Sequence, residues 1–251
     1  RSTLNNTSKK ISELGDKAKV VGSAVGKLGK GLAIAGTAAA TAVGTMVAKS
    51  VSSFADYEQL TGGVDTLFKD SSAAVQKYAN DAYKTAGLSA NSYMETVTNF
   101  SASLISSLKG DTAKAADYAN SALVDMADNA NKMGTNMTDI QNAYQGFAKQ
   151  NYTMLDNLKL GYGGTRAEMK RLLSDAQKLT GQKYDISSFA DITQAIHAIQ
   201  TQMDITGTTA KEASTTISGS WGSLKAAFEN TLVGLTTGGE MFDQSLDALV
   251  D

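Results

Sequence analysis

The stretch NAYQGFAKQNYTMLDNLKLGYGGTRAEM (Asn142–Met169) holds both the rule that governs this chain and its one conspicuous exception. Its flanks have a helical pattern. Met137, Ile140, Tyr144 and Phe147 recur in steps of three and four, as do Met169, Leu172, Ala176 and Leu179, and that is the period of one helix face. Between them stand Gly161, Gly163 and Gly164. Interior glycines cost a helix up to about 1 kcal/mol each relative to alanine, so Leu158–Gly164 reads as a tight interhelical break and a place where a bundle could open. Thr165 restarts the helix: Thr165-Arg-Ala-Glu168 has the capping-box spacing, in which hydroxyl and carboxylate satisfy each other's free amides.

The same period extends outward in both directions. Val75, Tyr78, Ala82 and Ala86 mark one face, and Val97, Phe100, Leu104 and Leu108 the next. Ala116, Ala119, Leu123, Met126, Ala130 and Met133 form a longer one. Beyond the break come Phe189, Ile192, Ile196, Ile199 and Met203, then Ile217, Trp221, Leu224, Phe228, Leu232 and Leu235. Ser92-Tyr-Met-Glu95 and Thr209-Ala-Lys-Glu212 repeat the capping box, and Asn136 with Asp139 and Ser188 with Asp191 are shorter-armed versions. Gly87, Gly110, Gly134 and Gly181 sit where helices should stop. No comparable run of strict alternation occurs, so almost no sheet is expected. The 251 residues include no proline, where ordinary usage of about 5% would supply about a dozen, and proline is the residue that breaks helix interiors. The expected fold is all-α: a long, coiled-coil-like N-terminal helix over residues 1–53, a multi-helix bundle over 54–235, and the start of a further segment over 236–251.

The N-terminal fifty residues have their own rhythm. Ile11, Leu14, Ala18, Val21, Val25, Leu28, Leu32, Ala35, Ala39, Ala42 and Met46 alternate steps of three and four. Such a 3.5-residue repeat marks a seam that buries one stripe against partner helices, a candidate self-association element. Gly31–Ala48 carries no charge between Lys30 and Lys49, which reaches the minimum length of a membrane span. Its large apolar residues are only Leu32, Ile34, Val43, Met46 and Val47, so a closely packed coiled-coil segment is expected, and the alternative is entry into a bilayer with those five as the candidates for membrane contact. Residues 1–30 hold seven Lys/Arg and two acids, against sixteen and twenty-three in the rest. A basic head on an acidic body could meet an anionic surface, but few aromatics interleave the bases, and no nucleic-acid site is expected. Residue 1 is Arg with no secretory signal pattern after it, so the chain is expected to be a piece of a longer protein.

Motifs for chemistry are weak. The chain has no cysteine and one histidine, His197, so neither a thiolate nor a His/Cys metal cluster is available; His197 is expected to be a partly exposed polar position. GYGGT (Gly161–Thr165) precedes a helix, where anions bind, but it lacks the Lys-Ser/Thr pair of a phosphate loop and the GxGxxG spacing of a dinucleotide fold. Asp117, Asp125, Asp128 and Asp139 read as surface charges; Asp125 and Asp128 could share a face, without the surrounding ligands of a metal site. Trp221-Gly222 departs from the Trp-x-Gly turn of small helical secreted proteins, and Trp221 reads as a core residue. No catalytic residue, metal ligand or cofactor is expected.

NYTMLDNLKLGYGGT (Asn151–Thr165) resembles the core domain of phage tail tape-measure proteins. Asn151, Met154, Leu155, Asp156, Asn157, Leu158, Gly161, Gly163, Gly164 and Thr165 carry the likeness. Weaker family-like words flank it at Tyr57–Phe68, Tyr83–Asp111 and Asp204–Ser220. The resemblance implies a non-enzymatic structural protein of the virion, several copies of which lie in the tail tube lumen, template tube assembly and set tail length. It implies partners: other copies of itself, tail tube and tail tip or baseplate proteins, assembly chaperones, and a host membrane when the protein leaves ahead of the DNA. The long ruler helix would follow this domain. The rival reading is a secreted all-helical effector or pore-former.

Overall fold

The computed structural model describes residues 37–215 and 225–234; nothing is said of side chains at 37–51 and 213–215. The described residues form helices α1 (Thr37–Phe68), α2 (Ser72–Thr85), α3 (Ala90–Ser107), α4 (Thr112–Met133), α5 (Met137–Ala148), α6 (Arg166–Thr180), α7 (Phe189–Gln202), α8 (Thr208–Thr215) and α9 (225–234), with no strand among them. The all-α expectation holds. Single 3₁₀ turns follow α1 (Lys69–Ser71) and occupy Leu155–Leu158.

Helix α1 runs unbroken through residues 53 and 54, where the sequence pattern changes. Of the seam, Ile11, Leu14, Ala18, Val21, Val25, Leu28, Leu32 and Ala35 lie outside the described residues. Ala39, Ala42 and Met46 lie on the α1 backbone, as do the membrane-contact candidates Val43 and Val47, whereas Ile34 is outside. Among the described residues no helix is long and apolar enough to cross a membrane.

Helices α3 and α4 are the centre of the bundle. Helix α3 packs against α1, α2, α4, α5 and α7, and α4 against α1, α2, α5, α7 and α8; α6 leans chiefly on α7. Most of the stripes read from the sequence are buried, as with Val97, Phe100 and Leu104 on α3 and Ala116, Ala119, Leu123 and Met126 on α4, but Leu179 and Met203, at the ends of two of them, are 47% and 40% exposed. Phe100 meets Phe189 of α7 edge to face, with ring centroids 5.9 Å apart. The largest fully buried side chains include Tyr93, Tyr144, Phe68, Phe147 and Leu123, so the core is aromatic-rich and sits where α3, α4 and α5 converge.

Helix ends follow the sequence signals with two corrections. Asn136, Thr165 and Ser188 cap as expected, each side-chain oxygen accepting from a backbone amide of the first turn. Gly134 and Gly181 end α4 and α6 in the left-handed conformation, at φ 62° and 74°, which a Cβ would oppose. The Ser92–Glu95 box is displaced: α3 is capped by Ser89, three residues earlier, and Ser92 donates its amide to the Ser89 hydroxyl. Burial of Ala90, Tyr93 and Met94 pulls the first turn into the core, and Asn230 of α9 accepts from the Ala90 amide at 2.8 Å. Thr209 is likewise no cap but lies inside α8, because a side chain from α4 caps that helix instead.

Replacing Leu123, fully buried at the centre of α4, by alanine is expected to cost about 2–5 kcal/mol through lost burial and the cavity left. The urea midpoint should fall with an unchanged slope.

Candidate functional site

The stretch that carries the family resemblance folds as an irregular connection between α5 and α6, stitched to the bundle along its length. Helix α5 ends as the amides of Lys149 and Asn151 both donate to Gly146 O, at 2.9 Å each. Asn151 then closes a side-chain turn: its Oδ1 accepts from the Thr153 amide at 3.1 Å and the Thr153 hydroxyl at 2.8 Å. Leu155 and Leu158, at the two ends of the 3₁₀ turn, are fully buried anchors. Met154 and Asp156 between and beside them are exposed, and Asn157 is half-buried. Lys159 turns left-handed at φ 53° and carries its Nζ to Met133 O at 3.1 Å, meeting a free carbonyl at the end of α4.

The glycines serve close approach and turning. Gly161 adopts φ 82°. A Cβ at Gly164 would stand 2.2 Å from Thr153 O, so the two arms of the connection touch backbone to backbone. Thr165 caps α6 by accepting from the Glu168 amide at 3.2 Å. The Glu168 carboxylate reaches past Thr165 to accept from the Gly163 amide at 3.1 Å. Arg171 completes the lock, donating to Glu168 at 2.6 Å and to Gly161 O at 2.6 Å, while its guanidinium lies 4.3 Å from the Tyr162 ring centroid. The hydrogen bonds from Arg171 and Gly163 hold the Glu168 carboxyl below its ordinary range. The Gly163 amide, a donor that an anion would need, is therefore taken by a carboxylate of the same helix.

Beneath the connection lies a polar layer that the sequence reading placed on the surface. Asp125 is 1% exposed and Asp128 is fully buried, against the expectation of surface charges. His197, on α7, is partly exposed as expected, but it is paired: its Nδ1 lies 2.9 Å from Asp125 Oδ1. Asp128 crosses to α8, where Oδ2 accepts from the Gly207 amide at 2.6 Å and Oδ1 from the Thr209 amide at 2.8 Å. A buried carboxylate is tolerated only when paired or hydrogen-bonded, and here a helix N-terminus supplies both the amides and the positive dipole end. Asn129 donates to Leu158 O at 2.9 Å, tying this layer to the connection above. Tyr144 OH and both ends of the Gln200 amide are buried without a partner.

Asp125 and Asp128 were missed as buried groups because an acid scores as solvent-facing in any pattern reading. The signal was their register: both lie beside Leu123 and Met126, on a helix whose residues 125–129 are all buried.

Asp117 and Asp139 are exposed. Among the described residues no group of three His, Cys, Asp or Glu side chains is placed to hold a metal ion. Compared with known proteins, the chain matches no family model, no curated protein and no solved structure.

Two predictions test this geometry. Gly164→Ala should cost about 1–3 kcal/mol by overpacking. Gly163→Ala, whose Cβ would meet only Glu168 Cγ at 3.5 Å, should cost less; chemical denaturation of the pair checks the order. The second concerns pH. Burial raises the Asp125 carboxyl, outweighing the opposing bond from His197. The hydrogen bond to Asp125 raises His197, outweighing half-burial. Both folded-state values lie above the unfolded ones. Each group's contribution is therefore complete below its unfolded value, about 6.5 for histidine, and is lost as pH rises through the folded value. Unfolding free energy should fall as pH climbs above about 3.9, the unfolded aspartate value, and further above about 6.5 as the histidine adds its share; His197→Gln should remove the histidine share and, with the opposing bond gone, leave Asp125 a larger fall of its own, measured by urea denaturation across a pH series.

Proposed function

We propose that this chain is the core domain of a phage tail tape-measure protein, acting as a structural element and not as a catalyst. The observation that carries the reading is the Asn151–Thr165 sequence itself. Several of its residues serve the fold: Leu155 and Leu158 as buried anchors, Asn151 in a side-chain turn, Thr165 as a cap, Gly164 as a close-packed contact. A motif whose members serve packing suits a protein selected for its shape. The all-helical architecture of the described residues supports the same reading.

On this reading several copies lie in the lumen of a growing tail with tube subunits polymerising around them, held at one end by tail tip or baseplate proteins and accompanied by assembly chaperones. The protein would be made in the host cytoplasm, packaged in the virion and released ahead of the DNA, when Leu32, Ile34, Val43, Met46 and Val47 would meet the host membrane. Length is converted to distance by the helix rise of about 1.5 Å per residue.

In-frame deletions in the ruler region of the parent gene are expected to shorten tails by about 1.5 Å for each residue removed, read by negative-stain microscopy. Tails of unchanged length would remove the tape-measure reading and leave a secreted helical effector or pore-former, for which liposome leakage by the isolated chain is the direct assay.

A further inference from the structure

Helix α8 (Thr208–Thr215) is too short to hold itself. It has 8 residues, and isolated helices shorter than about 12–15 residues are marginal in water. From Thr208 to Glu212 no side chain is fully covered: Thr208, Thr209 and Glu212 are half-buried, Ala210 and Lys211 exposed. The helix rests on α4 and α2, with Ile205, 1% exposed, anchoring the turn before it. Its seat is therefore largely polar. Asp128 of α4 accepts from the Gly207 amide at 2.6 Å and the Thr209 amide at 2.8 Å, so one buried carboxylate carries the start of the helix.

That carboxylate is coupled to a group that meets solvent. Asp125 stands three residues before Asp128, and at that spacing two residues share a helix face. Both oxygens of Asp125 lie close to His197 Nδ1, at 2.9 and 3.0 Å. The His197 side chain is 38% exposed and that of Asp125 only 1%, so the imidazole is where protons enter the layer. Among the described residues the charges acting on His197 are those of Asp125 and Asp128; α3, α5 and α6, which also pack against α7, bring none to it. Tyr144 of α5 lies within the field of Asp125, its hydroxyl kept neutral by burial. Lys211 and Glu212 belong to α8 itself. The imidazolium is thus the layer's cation, and its attraction favours the arrangement in which Asp128 stays covered. Without it two carboxylates share one buried face, which like charges at this spacing oppose. Water reaches Asp128 when Gly207–Thr209 leave it.

We infer that His197 gates α8: protonated, it holds α8 seated on α4, and deprotonated, it lets α8 open while the α3–α4 centre stays folded. The gate opens as pH rises. Linkage gives the same direction from the other side, since a proton that favours seating is itself favoured by seating, and the bond to Asp125 with the fields of both carboxylates raises the imidazole above its ordinary value. The inference is independent of the tape-measure reading.

The test is amide hydrogen exchange on the full chain from about pH 5.5 to 8.5, the range in which histidine titrates, with intrinsic rates divided out. Because the chain has one histidine, its ring signals report the imidazole directly by NMR in the same samples. Protection of the Gly207, Thr209 and Lys211 amides is expected to fall at least about five-fold relative to those of Leu104 and Leu123, with a midpoint matching that of the His197 ring. Asp128→Asn keeps a capping oxygen without the charge, and the relative fall should vanish. Protection falling in parallel at α8 and the α3–α4 centre, a midpoint apart from that of His197, or a relative fall that survives Asp128→Asn would each overturn the inference. Should that variant not fold, the unsubstituted chain's midpoint decides.

Discussion

Every helix begins with amides and ends with carbonyls that its own turns cannot satisfy. In a bundle with short connections many of those ends are buried, and water cannot meet them. This protein meets several of its helix ends, buried and exposed, with side chains sent from elsewhere in the chain. Asp128 of α4 closes the start of α8, Asn230 of α9 meets the first amide of α3, and Lys159 meets the end of α4. Ser107 of α3 accepts from the Ala190 amide in the first turn of α7 at 3.1 Å. These bonds are long-range in sequence and short in space. They fix how the helices are arranged more tightly than apolar stripes can, because an apolar stripe tolerates sliding and a hydrogen bond does not.

That division explains what the sequence disclosed. Stripes are local, and the stripes of α2 to α7 were legible as periods of three and four. Local caps were legible too, where the helix supplies its own: Thr165, Asn136 and Ser188. The failures fall at ends satisfied from afar. Ser92 looked like a cap and lost to Ser89, since the Ala90 amide was already met by Asn230. Thr209 looked like a cap and became an interior residue, since Asp128 had taken its amide. No spacing rule within one helix reports a partner some eighty positions away.

The polar layer under the 151–165 connection follows from the same constraint. Asp125 and Asp128 occupy positions where the packing of α4 against α7 and α8 asks for apolar residues. Taking the hydrogen-bond partner from a buried polar group costs about 1–3 kcal/mol, and more where the group is charged. Such a layer contributes specificity: α7 must present His197, and α8 must present Gly207 and Thr209, in one register only.

The connection itself bears on whether the bundle can open there. Read from its glycines, Gly161–Gly164 is a joint that could open. Read from its contacts it is a knot. Opening it would break the Arg171 bond to Gly161 O, the Glu168 bond to the Gly163 amide, the Asn129 bond to Leu158 O and the Tyr152 hydroxyl bond to Ile186 O, and would expose Leu155 and Leu158. Glycine permits a turn without implying motion there; a Cβ at Gly164 is excluded because two backbones touch.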